Sequence, residues 1–170
     1  MKKILSLLLL AFLLTGCAAS TPAGSEYSAD DINFAEMMIP HHEQAIEMSE
    51  LALLNSTNSA VLALAQEIKD AQEPEIGLMK SWAGVSSSTH AGHMMDGMLS
   101  AAEITELRGS KSPAFDLLFL QGMIKHHEGA IEMAEAVTSS KNQEVADLAA
   151  LIIDAQLKEI ALMKELISNL

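Results

Sequence analysis

Two stretches of the chain bring together the residue types from which metal chemistry is built. Met38-x-x-His41-His42-x-x-Ala45-x-x-Met48 returns as Met123-x-x-His126-His127-x-x-Ala130-x-x-Met133, with each histidine displaced by 85 positions. On a helix that advances about 100° per residue, Glu43, Glu47 and Glu50 gather on one side. Phe34, Met38, Ala45, Met48 and Ala52 gather opposite, and the two histidines flank Ala45 inside that apolar arc. His126, His127 and Ala130 repeat the arrangement. Histidine has only an intermediate tendency to be inside a protein, so four of the six on predicted core faces call for a chemical reason. Thioether sulfur is a soft, weak ligand that favours Cu(I), and imidazole serves both Cu(I) and Cu(II).

A third cluster, His90-Ala91-Gly92-His93-Met94-Met95-Asp96-Gly97-Met98, lies between the two motifs. Apart from Met1, every methionine and every histidine falls in one of the two hairpins or in this segment. Packing would use Leu interchangeably with Met, and a flexible, exposed loop has no core to pack. His90, His93, Met94, Met95 and Met98 are therefore candidate ligands on composition alone. A metal-free account competes for the helical histidines. Gln72 and Glu75, and likewise Gln156 and Glu159, are polar residues on faces that should be buried. A buried imidazole paired with Glu75 or Glu159 avoids the cost of an unpartnered polar group, while methionine fills gaps.

The elements that must position these residues follow from periodicity and punctuation. Lys2 and Lys3, the apolar run Ile4 to Leu14, and Leu14-Thr15-Gly16-Cys17 read as a signal segment, too short to span a bilayer. The small residues before the only cysteine resemble a bacterial lipobox, which implies cleavage before Cys17 and lipidation of its sulfur. Residues 17–28, with Pro22, Gly24 and several Ser and Thr, form a tether. Residues 29–170 predict a four-helix bundle made of two repeated helical hairpins, 30–83 and 112–170, joined by a long connection over 84–111. Pro40 should kink the first helix just before its histidines. The second helix is expected to bury Val61, Ala65, Ile68, Gln72, Glu75, Ile76, Met79 and Ala83. Ser100-Ala101-Ala102-Glu103 is a capping box opening a short helix. Ser112-Pro113 reads as a cap followed by proline at the first helical position.

Scarce aromatics and the absence of alternating Val/Ile/Thr runs make the class all-α. The formal charge of −13 becomes −15 once Lys2 and Lys3 are removed. Such a chain is unsuited to nucleic acid, which needs basic surface, and fits either a solvated acidic exterior or attraction for cations. A single cysteine allows no intramolecular disulfide. An oxidising compartment outside the cytoplasm makes Met and His a sensible substitute for thiolate ligands.

The Met-x-x-His-His-x-x-Ala-x-x-Met pattern at 38–48 and 123–133 resembles the ferritin-like family known as domain of unknown function 305. So do Gln72-Glu73-Pro74-Glu75-Ile76 through Met79 and Trp82, and Phe115-Asp116 leading into His126-His127-Glu128-Gly129-Ala130. The resemblance implies an exported helical bundle, since members are of that kind and some bind copper in the periplasm and contribute to copper tolerance. It also implies Met38, His41, His42, Met48, Met123, His126, His127 and Met133 as candidate copper ligands. Gln72, Glu75, Gln156 and Glu159, polar on the inner faces of the facing helices, are placed to stand behind them. The expectation is a lipid-anchored protein, facing the periplasm or cell exterior, that binds copper for sequestration or transfer without catalytic turnover. A di-iron enzyme is the rival from another class, but it needs a Glu-x-x-His step. The residues three before the four histidines are Met38, Ile39, Met123 and Ile124. A metal-free envelope module is the second rival.

Overall fold

The computed structural model describes residues 26–86 and 94–170. The described chain is all helix: α1 (Ala29–Asn55), α2 (Ser59–Ser81), a short α3 (Ala101–Gly109), α4 (Ala114–Glu135) and α5 (Gln143–Ser168). α1 packs along α2 and α4 along α5, and the two hairpins join mainly through α1 against α4, whereas α2 and α5 meet sparsely. α3 leans on α1 and α4. No described helix is long and apolar enough to cross a membrane.

The starts are set by local chemistry. Ser28 and Asp31 form a reciprocal capping box at α1, and Ser100 and Glu103 do so at α3. Asn58 and Asn142 each accept from two backbone N–H groups to open α2 and α5. Ser112 is not the cap of α4. Pro113 occupies the cap position with no side-chain hydrogen bond, and the Ser112 oxygen accepts from the Thr57 N–H at 2.9 Å while its hydroxyl donates to Asp116 at 2.9 Å. α1 runs unbroken through Pro40.

Two buried aspartates clasp the hairpins to each other. Asp116, at the start of α4, accepts from Ser56 in the α1–α2 turn at 2.6 Å. Asp31, at the start of α1, accepts from Ser140 in the α4–α5 turn at 2.7 Å. Asp116→Ala takes the acceptor from the buried Ser56 and half-buried Ser112 hydroxyls, and urea unfolding should show a loss of about 2 kcal/mol.

The apolar core falls into two clusters. One holds Met48, Leu64, Phe115, Phe119, Met123 and Met163. The other holds Phe34, Met38, Ile39, Met79, Ala130, Val145 and Ile152. Along both α1 and α4 the histidine pair lies between residues of one cluster and residues of the other. At the end of α2 it is Trp82, not Ala83, that turns inward: the helix stops at Ser81, Ala83 is exposed, and the indole stacks on Tyr27 at 5.1 Å while donating to Glu144 at 2.7 Å.

Candidate metal centre

All four helical histidines are fully buried. His42 Nε2 donates to Glu75 at 2.8 Å and His127 Nε2 to Glu159 at 2.6 Å, each across its own hairpin. His41 and His126 meet across the α1–α4 interface, with ring centroids 3.8 Å apart and planes tilted by 40°. His41 Nε2 donates to the Asp96 carbonyl at 3.2 Å. A carbonyl only accepts, so the proton is on Nε2 and the Nδ1 lone pair is bare. Among the described residues that Nδ1 has no partner, nor do the Nδ1 atoms of His42 and His127 or either ring nitrogen of His126. Burial, reinforced by His42 and His127, drives the His41 pKa down to about 3. Burial also pushes His126 well below the usual imidazole value, with its three histidine neighbours adding to the effect. Both rings are therefore neutral at ordinary pH and present unprotonated nitrogen.

The segment after residue 93 is seated on this layer. Gln44 brackets Leu99, accepting from its N–H at 2.7 Å and donating to its carbonyl at 2.9 Å. Lys125 donates to the Met98 carbonyl at 3.2 Å. Gly97, at φ +84°, lies against Gly129 of α4, where a Cβ would come within 2.1 Å of the Asp96 carbonyl oxygen. Only glycine permits an approach this close. The second half of the connection is thus a fixed wall, where composition suggested a loose linker.

That wall completes a sulfur-lined cleft of about 310 Å³. Met37 of α1, Met94 and Met95 of the connection and Met133 of α4 line it together with Asp96, Gly129 and Glu132. Met94 is exposed; Met37, Met95 and Met133 are half-buried. Four thioethers from three parts of the chain, with two carboxylates at the rim, suit a soft cation better than a hard one. Met98 is not in this cleft. It lines a neighbouring hollow of about 410 Å³ with Met94, Pro40, Gln44 and Arg108. Met38, Met48 and Met123 are wholly inside the core. His90, His93 and Cys17 lie outside the described residues. Among the described residues no three His, Cys, Asp or Glu side chains converge to hold a metal ion, so any described site must use sulfur or amide donors.

The profile of the family described as domain of unknown function (DUF305) matches residues 31–167. The chain belongs to the DUF305 family. Solved structures of similar chains include a DUF305 fragment from Deinococcus radiodurans, 27% identical, with a TM-score of 0.73 over 84% of this chain and 98% of that one. A secreted DUF305 protein from Streptomyces coelicolor is 29% identical, with a TM-score of 0.74 over 84% and 94%. CopM in its Cu(II)-bound form is 34% identical, with a TM-score of 0.71 over 82% and 96%. No curated protein sequence matches the chain. Residues 1–18 match the prokaryotic membrane lipoprotein lipid attachment site. This DUF305 protein is therefore an exported, membrane-anchored lipoprotein.

Sequence reading missed three features of the centre in this DUF305 protein. Met37 sits beside Met38 but one helical step round, which takes it out of the core arc and into the cleft. Gly129 is a glycine inside a helical pattern, a signal of close backbone approach that could have been read. The Asp96 carbonyl is a backbone group, and no side-chain pattern announces it.

Proposed function

We propose that this chain captures soft monovalent metal, copper(I) above all, at the envelope surface to which its lipid anchor holds it. It sequesters the ion or passes it on, with no catalytic turnover. The observation that carries this reading is the cleft of Met37, Met94, Met95 and Met133. Met38, Met48, Met79, Met123 and Met163 are packed in the core, whereas these four methionines line one opening. Membership of a family that includes a protein solved with copper bound supports it, as does the acidic surface. His90 and His93, just before the wall, are the nearest imidazoles in sequence to complete the ligand set. His41, His42, His126 and His127, with Met38, Met48 and Met123, then serve as a buried reserve whose bare nitrogens can take an ion that opens the core.

One observation favours the metal-free reading for part of this set: His42 and His127 each have a carboxylate of their own. The deciding experiment is an anaerobic Cu(I) titration of the full chain in detergent against a chromophoric chelator. Replacing Met37, Met94, Met95 and Met133 with leucine keeps volume and removes sulfur. Affinity should fall about ten-fold or more, roughly 1.4 kcal/mol, with unchanged helicity. A wild-type chain that ignores Cu(I) at micromolar levels leaves only the structural reading.

A further inference from the structure

On the opposite side of the bundle, where α2 and α5 meet sparsely, the chain builds a second polar feature that the cleft does not use. A narrow slot of about 10 Å³ is lined by Gln72 and Glu75 of α2 and Gln156 and Glu159 of α5, with Ala71, Ile152 and Ala155 filling its sides. The volume is that of one water-sized occupant. Gln72 is 2% exposed, and among the described residues neither its amide oxygen nor its amide nitrogen has a partner. Gln156 is 3% exposed, and its amide oxygen has none. Buried polar atoms are nearly always paired, so orphaned amides around a slot point to an occupant.

We propose that this seam is a site for a single small divalent cation, held by the Glu75 and Glu159 carboxylates and the Gln72 and Gln156 amide oxygens. Charge separates this from a slot filled by water alone. Two carboxylates face it and no lysine or arginine lines it, so a divalent ion neutralises what a water leaves uncompensated. The donors are all oxygens, which select Mg²⁺ or Mn²⁺ over Cu(I). His42 and His127 each hold one carboxylate oxygen, at 2.8 and 2.6 Å, leaving the other for the ion. Ligating carboxylates are commonly oriented by such outer hydrogen bonds. The glutamate side chains are 10% and 17% exposed, which leaves an entry path. The donors also come in matched pairs, each 84 positions apart, as expected of a site on the seam between two equivalent hairpins.

Mn²⁺ is the probe. Titrating the full chain in detergent while following the electron paramagnetic resonance signal of free Mn²⁺ should show one equivalent bound. Gln72→Leu with Gln156→Leu removes two donors at similar volume. Because loss of even an outer-shell partner costs roughly 10–100-fold in metal affinity, the pair should weaken Mn²⁺ binding by at least that much. Gln72→Glu, which adds a third carboxylate, should tighten Mn²⁺ and keeps the test open if the leucine pair misfolds. The proposal is overturned if the wild-type chain leaves the Mn²⁺ signal undiminished, since the slot then holds water alone. It is equally overturned if the folded leucine pair binds Mn²⁺ as the wild type does, or if Gln72→Glu changes nothing. Cu(I) binding is read separately in the same samples, so failure here is distinct from failure at the methionine cleft.

Discussion

Gly129→Ala is expected to lift residues 94–98 off the bundle, destabilise the chain by about 3 kcal/mol and abolish Cu(I) capture at the cleft. An added Cβ meets the Asp96 carbonyl oxygen at 2.1 Å, the Asp96 carbonyl carbon at 2.6 Å and the Gly97 Cα at 2.9 Å, all of them backbone atoms. No rotamer change relieves this overlap. Helix propensity works the other way, because alanine in a helix interior gains up to about 1 kcal/mol over glycine. Overpacking of about 1–3 kcal/mol outweighs it. To this is added the buried His41 Nε2 that loses its acceptor, at about 1–3 kcal/mol. Urea unfolding and Cu(I) competition on the same preparation measure both effects. An alanine variant as stable as wild type would mean that the wall is not held by this glycine contact.

Acid should weaken the metal-free chain well above the carboxylate range. His41 has a folded pKa of about 3 and His126 one well below normal, both set first by burial, whereas an unfolded histidine titrates near 6.5. Below about pH 6.5 the unfolded chain therefore binds two protons that the fold refuses. Stability is full above that pH and falls as pH drops toward about 3. Each group contributes about 1.4 kcal/mol per pH unit. Between pH 6.5 and 4.5 His41 alone should cost about 2 kcal/mol, with His126 adding in the same direction, read as a shift in urea midpoint. His126→Phe removes one of the two proton-refusing rings and should make that dependence shallower. An unchanged slope in this variant would show that His126 is not the proton-refusing group.

Much of the fold was legible because helical periodicity and capping are local. The inward arcs of α1 and α4, the box at Ser100 and Glu103, and the burial of Gln72, Glu75 and Gln156 all follow from spacing and residue type. Partner choice was only half legible. Sequence brings histidine and glutamate to the same interior, but the cross-helix register decides that His42 takes Glu75 and that His41 lies against His126 instead. End effects were misread where tertiary partners intervene. Trp82 displaces Ala83 because an indole buries more apolar surface and finds a carboxylate at Glu144. Ser112 gives up the cap because its oxygen accepts from the Thr57 N–H of the α1–α2 turn instead. The methionine cleft was the least visible feature. It joins a residue just outside the core arc to a segment whose path depends on a glycine at positive φ, and neither fact is periodic.

The crossed aspartate–serine clasps bear on how such a chain can divide its labour. Each hairpin carries the hook for the other and the eye for its partner's hook, so neither half closes its own ends. Cutting the chain between α3 and α4 would leave two pieces with complementary loose fittings, not two small proteins. Two hairpins that read separately along the sequence are, in space, mutually dependent.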